Sequence, residues 1–313
     1  MIARRILLIS GLLSIAAPAR SGGVSQPLQA APCSMPALAS LDVETTSRGM
    51  IVLPATVDGH RGGFLLDTGG MVATIGWSTA KQLNNSPYLS NIAGQLTGGT
   101  VLGAGVTVER FELGPLTFER VGFLVAPDRM LPGNEMGIFQ PHSITHINYE
   151  IDFVKGKVNL FRQGACPDRD VYWTQSVYAK VPMDVDFRGH IFVKAALDGK
   201  PVRALIDTGA QTSTITYKTS KSIFGIDEKN AAIKSLGSKN VNNLADVSAW
   251  SYPFQSLNFE GIAISHPNIV IMDAGATDTD EAEIVVGIGE LRHFHLFIAY
   301  DENALYLTPA ESY

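Results

Sequence analysis

The chain has 313 residues, enough for two ordinary domains or one large one; 45% are hydrophobic and 17% charged, so a substantial core can form. Its 30 glycines and 16 prolines suit many short strands joined by turns. The formal net charge of −6, with no basic run and no interleaving of aromatic and basic residues, argues against nucleic acid as a partner.

The first residues, MIARRILLISGLLSIAAPARS, have the three parts of a secretory signal peptide: Arg4 and Arg5, an apolar run Ile6–Ala17, and a small-residue cleavage site Ala17-Pro18-Ala19. The apolar run is short for a membrane span, and an uncleaved anchor is the alternative. No later segment looks membrane-spanning, so no stable membrane anchor is expected. The paired arginines hint at twin-arginine export, but nothing nearby supports it. Removing residues 1–19 takes away two positive charges and no negative one, moving the formal net charge from −6 to −8. An exported protein, periplasmic or secreted, is the expectation. Residues 20–45 read as an extended leader with little core. Cys33 and Cys166 leave two readings open, one disulfide tying the leader to the middle of the chain or two unpaired thiols.

Beyond the leader the chain repeats itself. A strand Ile51–Val57, an Asp58-Gly59 turn and a second apolar strand Phe64–Leu66 deliver Asp67; a third strand Val72–Ile75 and a short helix Ser78–Leu83 follow. The same plan recurs 140 residues later as Ile191–Leu197, Asp198-Gly199, Ala204–Ile206, Asp207, Ser213–Thr216 and Lys218–Phe224. IVLPATVDGHRGGFLLDTGG lies over IFVKAALDGKPVRALIDTGA without a gap, and both contain Asp-Thr-Gly. The register continues through Thr74/Thr214, Ile75/Ile215, Thr79/Thr219 and Lys81/Lys221. A duplicated domain is implied. The copies diverge and then converge on MGIFQPHSITHINYEIDFVKGKVNLF and VVGIGELRHFHLFIAYDENALYLTP, where copy one carries three extra residues. Gly164, Pro167, Pro182 and clustered charges mark a connector at 164–183, so the expected lobes are 46–163 and 184–313.

A lone carboxylate at the end of an apolar strand is costly to ionise, and a single Asp there reads as a turn cap. Two in register read differently. Apolar-apolar-Asp-Thr-Gly, then a Ser/Thr-rich strand and later an apolar-Gly element (Met136-Gly137-Ile138; Val285-Val286-Gly287-Ile288), resembles the aspartic peptidases. The compact repeat is similar to their retropepsin-like branch, including its exported bacterial members, over residues 46–162 and 184–308. The resemblance implies an all-β fold of two β-barrel lobes related by a pseudo-twofold axis, with catalytic Asp67 and Asp207 meeting at that axis. Hydrolysis without metal or covalent nucleophile needs a base to activate water and an acid to protonate the carbonyl oxygen. Two carboxylates about 3 Å apart cannot both ionise, so they share one proton and fill both roles. Neither is assigned a fixed role on this reading.

Gly69 and Gly209 allow a tight turn with amides facing the carboxylates. Thr68 and Thr208 hold the position that cross-links the two turns in the family. The next residue is Ala210 in copy two, as in retropepsins, but Gly70 in copy one, a departure. Neither offers a hydroxyl to the ionised carboxylate, so the expected pH optimum is less acidic than that of pepsin-like enzymes. Closing hairpins are expected at Asn91–Gly105 and Ser235–Ala249, where plain surface loops are the alternative.

Other chemistries lack their motifs. His142 and His146 sit four apart and His293 and His295 alternate, yet no zinc pattern accompanies them, so packed or solvated histidines are expected. There is no Gly-x-Ser-x-Gly elbow, and Gly103/Gly105 and Gly287/Gly289 lack a third glycine. The acidic cluster Asp278–Glu281 does not match a calcium loop. The sequence therefore predicts a single-chain aspartic endopeptidase acting on peptide or protein, without cofactor and without need of dimerisation. The rivals are a non-catalytic periplasmic peptide-binding or scaffold protein of the same fold, and a homodimer in which each chain offers both motifs to its partner.

Overall fold

Each half is seeded by a hairpin whose turn demands its sequence. Asp58 and Gly59 take φ +46° and +85°, Asp198 and Gly199 +49° and +74°, the all-positive turn that matches strand twist and favours Asp-Gly. The Asp side chains then pin the neighbouring hairpin: Arg110 N–H donates to Asp58 Oδ1 (2.8 Å), and Gln255 and Ser256 N–H donate to Asp198 Oδ1 (2.7 and 2.9 Å). This computed structural model describes residues 35, 37–83, 87–95, 101–164, 171–174, 177–241, 245–273 and 282–310. The signal segment, most of the leader, both cysteines, the two hairpin tips and the acidic cluster Asp278–Glu281 lie outside the described residues.

The first lobe is a closed barrel of six strands. Ile51–Val57, His60–Leu66, Gly137–Phe139, Thr74–Gly76, Leu116–Ala126 and Val101–Leu113 pair in turn. The ring closes where Thr56 and Val57 meet Glu112 and Phe111. Phe64, Phe111, Phe123 and Phe139 fill it, with Phe64 edge-on to Phe111 at 5.3 Å and Phe139 stacked on Phe111 at 5.9 Å. Each such side chain, fully buried, contributes about 1.5–3 kcal/mol.

The second lobe repeats the circuit through Ile191–Leu197, Lys200–Ile206, Ile284–Val286 and Ser213–Thr216. Its long hairpin is broken in both arms, into Ala245–Ser251 with Ser256–Phe259 and Ile262–Ser265 with Ile269–Met272. Pro253 and Pro267 occupy the breaks, where a missing N–H forbids a continuous ladder. Closure survives through Ala196–Asn258 and Leu197–Leu257. The fold is thus mostly β and two-lobed, as the sequence implies.

Between the barrels runs an antiparallel sheet in the order Ala39–Asp42, Lys157–Arg162, Ile147–Asp152, Phe294–Ala299, Ala304–Pro309, Ala179–Val185, three strands from each half. Its outer strands correct the expected boundaries. Ala39–Asp42 lies within the supposed leader, yet it pairs with Leu160–Lys157 and buries Ala39 and Leu41. Ala179–Val185 begins inside the supposed connector and is offset from Ala39 by the same 140 residues. Pro182, read as a linker residue, sits where this strand changes partners: Ala179–Pro182 pair with Leu307–Ala304, and Met183–Val185 with Val193–Ile191. A proline is tolerated at such a switch.

Smaller differences have local causes. The strand expected from Val72 starts at Thr74, because Ala73 belongs to the turn: its N–H donates to Ser143 Oγ (3.1 Å) and its carbonyl accepts from Leu124 N–H (3.1 Å). The helices span Trp77–Gln82 and Tyr217–Phe224, each starting one residue early. The second is capped by Thr216, which accepts the Thr219 N–H (3.0 Å), and stops at Gly225 with φ +69°.

Candidate active site

Asp67 and Asp207 each follow the last residue of an apolar strand, and each is fixed by the short strand beside it. Asp67 N–H donates to Phe139 O and Asp207 N–H to Val286 O, both at 3.0 Å. Gly137, which opens the first of these short strands, and Gly287, which follows the second, are required by packing: a Cβ on Gly137 would lie 2.2 Å from Thr74 O, and one on Gly287 2.6 Å from Ala210 O. The register corrects the match between the copies: Phe139 holds Asp67 as Val286 holds Asp207, so Gln140 rather than Gly137 stands at the place of Gly287, and the stretches from Gln140 to Ile151 and from Gly287 to Ile298 are equally long, without the three extra residues expected in copy one.

The turns interlock across the lobes. Thr68 N–H donates to Thr208 Oγ1 and Thr208 N–H to Thr68 Oγ1, both at 3.1 Å. Thr68 Oγ1–H donates to Ile206 O (2.7 Å) and Thr208 Oγ1–H to Leu66 O (2.8 Å). Both threonines are fully buried. Hydroxyl and amide of each turn are thereby satisfied by the opposite lobe, as they must be without water.

This lock brings the two carboxyls together, each against the glycine of the opposite turn. A Cβ built on Gly69 would fall 2.2 Å from Asp207 Cγ, and one on Gly209 2.4 Å from Asp67 Cγ. The absent side chain on each turn is thus the space the other lobe's carboxyl occupies. Gly69 N–H donates to Asp67 Oδ1 (2.9 Å), and Gly209 and Ala210 N–H donate to Asp207 Oδ1 (2.8 and 3.0 Å). The Gly70 amide adds to the influences that lower Asp67, and a Cβ there would meet Asp67 Oδ2 at 2.9 Å.

Burial pushes Asp207 well above the ordinary carboxylate range, and the neighbouring charge of Asp67 pushes it further, against the amides of Gly209 and Ala210. Asp67 is raised by burial too, but its rise is opposed by the proton on Asp207, the amides of Gly69 and Gly70, and the charge of His190. One proton shared by the pair is what two buried carboxyls in contact require.

All six residues singled out in the sequence, Asp67, Thr68, Gly69, Asp207, Thr208 and Gly209, meet in one place. His190 and its partner Asp186 were missed. The signal was available: the repeat continues backwards from Ile51/Ile191 to Gly49/Gly189 and Arg48/Arg188, with Met50 in one copy where the other has His190. Both expected closing segments fall in hairpins, Tyr88–Gln95 with Val101–Leu113 and Lys234–Val241 with Ala245–Ser251. Of the histidines, His295 is packed, stacked on Trp173 at 4.1 Å with Nε2 on Glu150 Oε1 (2.7 Å), and His142 lies against Tyr300 at 5.8 Å. Among the described residues no cluster of three or more His, Cys, Asp or Glu could hold a metal ion. Among them, too, no helix is long and apolar enough to cross a membrane.

Two six-strand circuits, each presenting an Asp-Thr-Gly turn to a shared axis, define the retropepsin-like class of aspartyl protease folds. The aspartyl protease family model matches residues 53–139 and 193–288, more than half of the chain, and the chain belongs to that family. A solved structure shows the same fold. An aspartic proteinase from Irpex lacteus aligns with a TM-score of 0.51 at 14% identity, over 87% of this chain and 97% of that one. The basic 7S globulin from soybean aligns at 0.49 and 13%, over 87% and 95%. Conglutin gamma, a basic 7S globulin from lupine seeds, aligns at 0.49 and 12%, over 86% and 94%. No curated protein matches the chain.

Proposed function

We propose that the chain is an aspartic endopeptidase, exported from the cell, that cleaves peptide bonds with water held between Asp67 and Asp207. The observation that carries this reading is the apposition of the two carboxyls, each lying beside the opposite turn's glycine, across a lock that spends four buried hydrogen bonds to hold them together. A merely structural Asp turn needs no such partner.

The chemistry follows from one shared proton. The ionised carboxylate accepts a proton from water as the water oxygen bonds to the scissile carbonyl carbon, and the protonated carboxyl donates its proton to the carbonyl oxygen. The tetrahedral diol then collapses. The proton taken from water passes to the leaving nitrogen as the C–N bond breaks, and a diol hydroxyl returns the other proton to its carboxyl. Both carboxyls end as they began. An extended peptide would be recognised by strand-like pairing with the hairpins beside the cleft. Since one chain supplies both turns, dimerisation is not required, and neither step calls for a cofactor.

Export rests on the basic-apolar-small pattern of residues 1–19. The test is digestion of casein and a peptide library across pH 3–8 with protein lacking residues 1–19, with and without pepstatin. Pepstatin-sensitive cleavage supports the reading; a folded protein that cleaves nothing favours a binding role for the same fold.

A further inference from the structure

Both lobes are entered through the same tight turn, Thr46–Met50 in the first half and Asp186–His190 in the second. Gly49 N–H donates to Thr46 O (2.8 Å) and Gly189 N–H to Asp186 O (2.9 Å), and the two glycines take φ +79° and +87°. An arginine precedes each glycine, Arg48 and Arg188. Each turn faces the opposite lobe, and there the copies part.

The second turn is packed shut. A Cβ on Gly189 would fall 2.5 Å from both Gln140 Nε2 and His142 Cβ, and Gln140 Nε2–H donates to Arg188 O (3.3 Å). Gln140 also caps the short helix Pro141–Ile144, its Oε1 accepting the Ser143 N–H (2.6 Å). Before the matching helix, Ile288–Leu291, stands Gly287, with no side chain to reach across. After the helices the lobes differ again: Thr145 is buried and donates its hydroxyl to Pro141 O (2.9 Å), whereas Arg292 is exposed.

The first turn therefore stands off from its neighbour. Among the described residues a Cβ on Gly49 would meet only Arg292 Nη1, at 3.8 Å. Beside Arg48 and Arg292 lies a cavity of about 510 Å³, walled in part by Gln211, Thr212, Asn268 and Glu290. That volume is in the range of ligand sites. The Arg48 side chain enters no ion pair or hydrogen bond among the described residues, and Arg292 donates only Nε–H, to Gly289 O (3.3 Å). Glu290 is the one carboxylate of the wall; it is 4% exposed, and its Oε1 accepts the Asn268 N–H (2.8 Å). No ion pair joins it to either arginine. Two cations brought to one rim without a counter-ion favour an anion between them.

We propose that this cavity is a carboxylate-binding subsite, held by Arg48 and Arg292, that selects peptides with an acidic group on one side of the scissile bond. A guanidinium matches a carboxylate with two parallel N–H donors. Gln211 and Thr212 follow Asp207 by four and five residues, so this wall lies within about 14–18 Å of it. An extended peptide advances about 3.3 Å per residue, which places the acid within about five residues of the cleaved bond. The preference is one-sided because Gln140 fills the matching place in the other half. The cleaved substrate rests on the peptidase reading; the affinity for a carboxylate does not.

The test uses matched short peptides: amidated with Glu walked along either side of the cleavage site, amidated with Gln instead, and the Gln peptide with a free C-terminus. Cleavage is measured as kcat/KM for the wild type, Arg48→Gln/Arg292→Gln and Arg48→Glu/Arg292→Glu; binding is measured on Asp67→Asn protein with and without the arginine changes. Both arginines are exposed, so their replacement leaves the core untouched. The wild type should favour an acidic peptide about tenfold on one side only. The Gln pair should abolish that ratio, and the Glu pair should turn it towards Lys. A preference for the free C-terminus rather than for Glu names the chain end as the source of the carboxylate. A wild type that cleaves without preference, or a preference that survives Arg48→Gln/Arg292→Gln, overturns the proposal. A wild type that cleaves nothing, while Asp67→Asn protein binds acidic peptides more tightly through the two arginines, sinks the peptidase reading and leaves the pocket standing. No cleavage and equal binding overturn both.

Discussion

Thr68 and Thr208 each accept the other's amide proton at 3.1 Å and donate a hydroxyl proton to the strand carrying the other's aspartate, at 2.7 and 2.8 Å. Neither lobe satisfies its own turn. Replacing either threonine by alanine strands a buried amide and a buried carbonyl in the opposite lobe, so Thr68→Ala or Thr208→Ala should cost about 3 kcal/mol in denaturant unfolding. The double variant should cost clearly less than the sum of the two, because each single variant already breaks part of the same lock. Thr208→Ser, which keeps the hydroxyl, should recover most of the loss.

The glycines of the turns separate fold from activity. Gly209→Ala would thrust a methyl to within 2.4 Å of Asp67 Cγ, so the carboxyls must part. A loss of about a hundredfold in kcat/KM is expected from a displacement near 1 Å. Gly70→Ala should lose only a few-fold, since its Cβ meets Asp67 Oδ2 at 2.9 Å and Ala210 already fills the matching place in the second lobe. Equal losses for the two variants would contradict this geometry.

How much of this was legible beforehand depended on what left a local mark. The Asp-Thr-Gly pairs, the Asp-Gly turns and the strand Ile191–Leu197 are written in residue types that only one backbone geometry suits, and they were read correctly. The outer strands of the central sheet were not. Ala39–Asp42 and Ala179–Val185 do alternate apolar and polar residues, but the first has only four residues and the second contains Pro182; they become strands because Leu160–Lys157 and Leu307–Ala304 offer them edges. His190 was missed for a related reason. It is a difference, Met50 against His190, set between the identities Gly49/Gly189 and Ile51/Ile191, and a substitution inside a repeat says more than an identity only once the register is known to continue.

Raised carboxyl pKa values at the dyad set a stability rule. A carboxyl whose folded pKa lies above its unfolded value binds protons more readily when folded, so it favours the folded state at low pH. That contribution is lost as pH rises from about 4 through the folded value. Asp207→Asn removes the burial of charge and should raise the melting temperature at pH 7. The gain should vanish below about pH 4, where both forms are neutral. A melting temperature lowered at pH 7 would count against a buried, shared proton.

Asp152 runs the other way. Burial would raise it, but the Lys155 amide (2.9 Å), the Lys155 ammonium (3.2 Å) and the charge of His295 outweigh that and hold it below the ordinary range. A depressed pKa stabilises above the unfolded value near 3.9 and loses that contribution as pH falls through the folded value. Asp152→Asn should therefore destabilise at pH 7, with the difference closing as pH falls below the ordinary carboxylate range.

Neither Ala210 nor Gly70 offers a hydroxyl to the ionised dyad, and both carboxyls sit above their ordinary range. The rate optimum should accordingly lie on the less acidic side for this chemistry. A kcat/KM profile peaking below about pH 3 would contradict it, since unperturbed carboxylates titrate near 4.

The most direct test replaces each carboxyl alone. Asp67→Asn and Asp207→Asn keep size and shape and remove the shared proton. With the wild type cleaving casein or a peptide library in a pepstatin-sensitive manner, each variant should remain folded and lose cleavage by at least about a thousandfold. Cleavage that survives either substitution would show that the two carboxyls do not act as one.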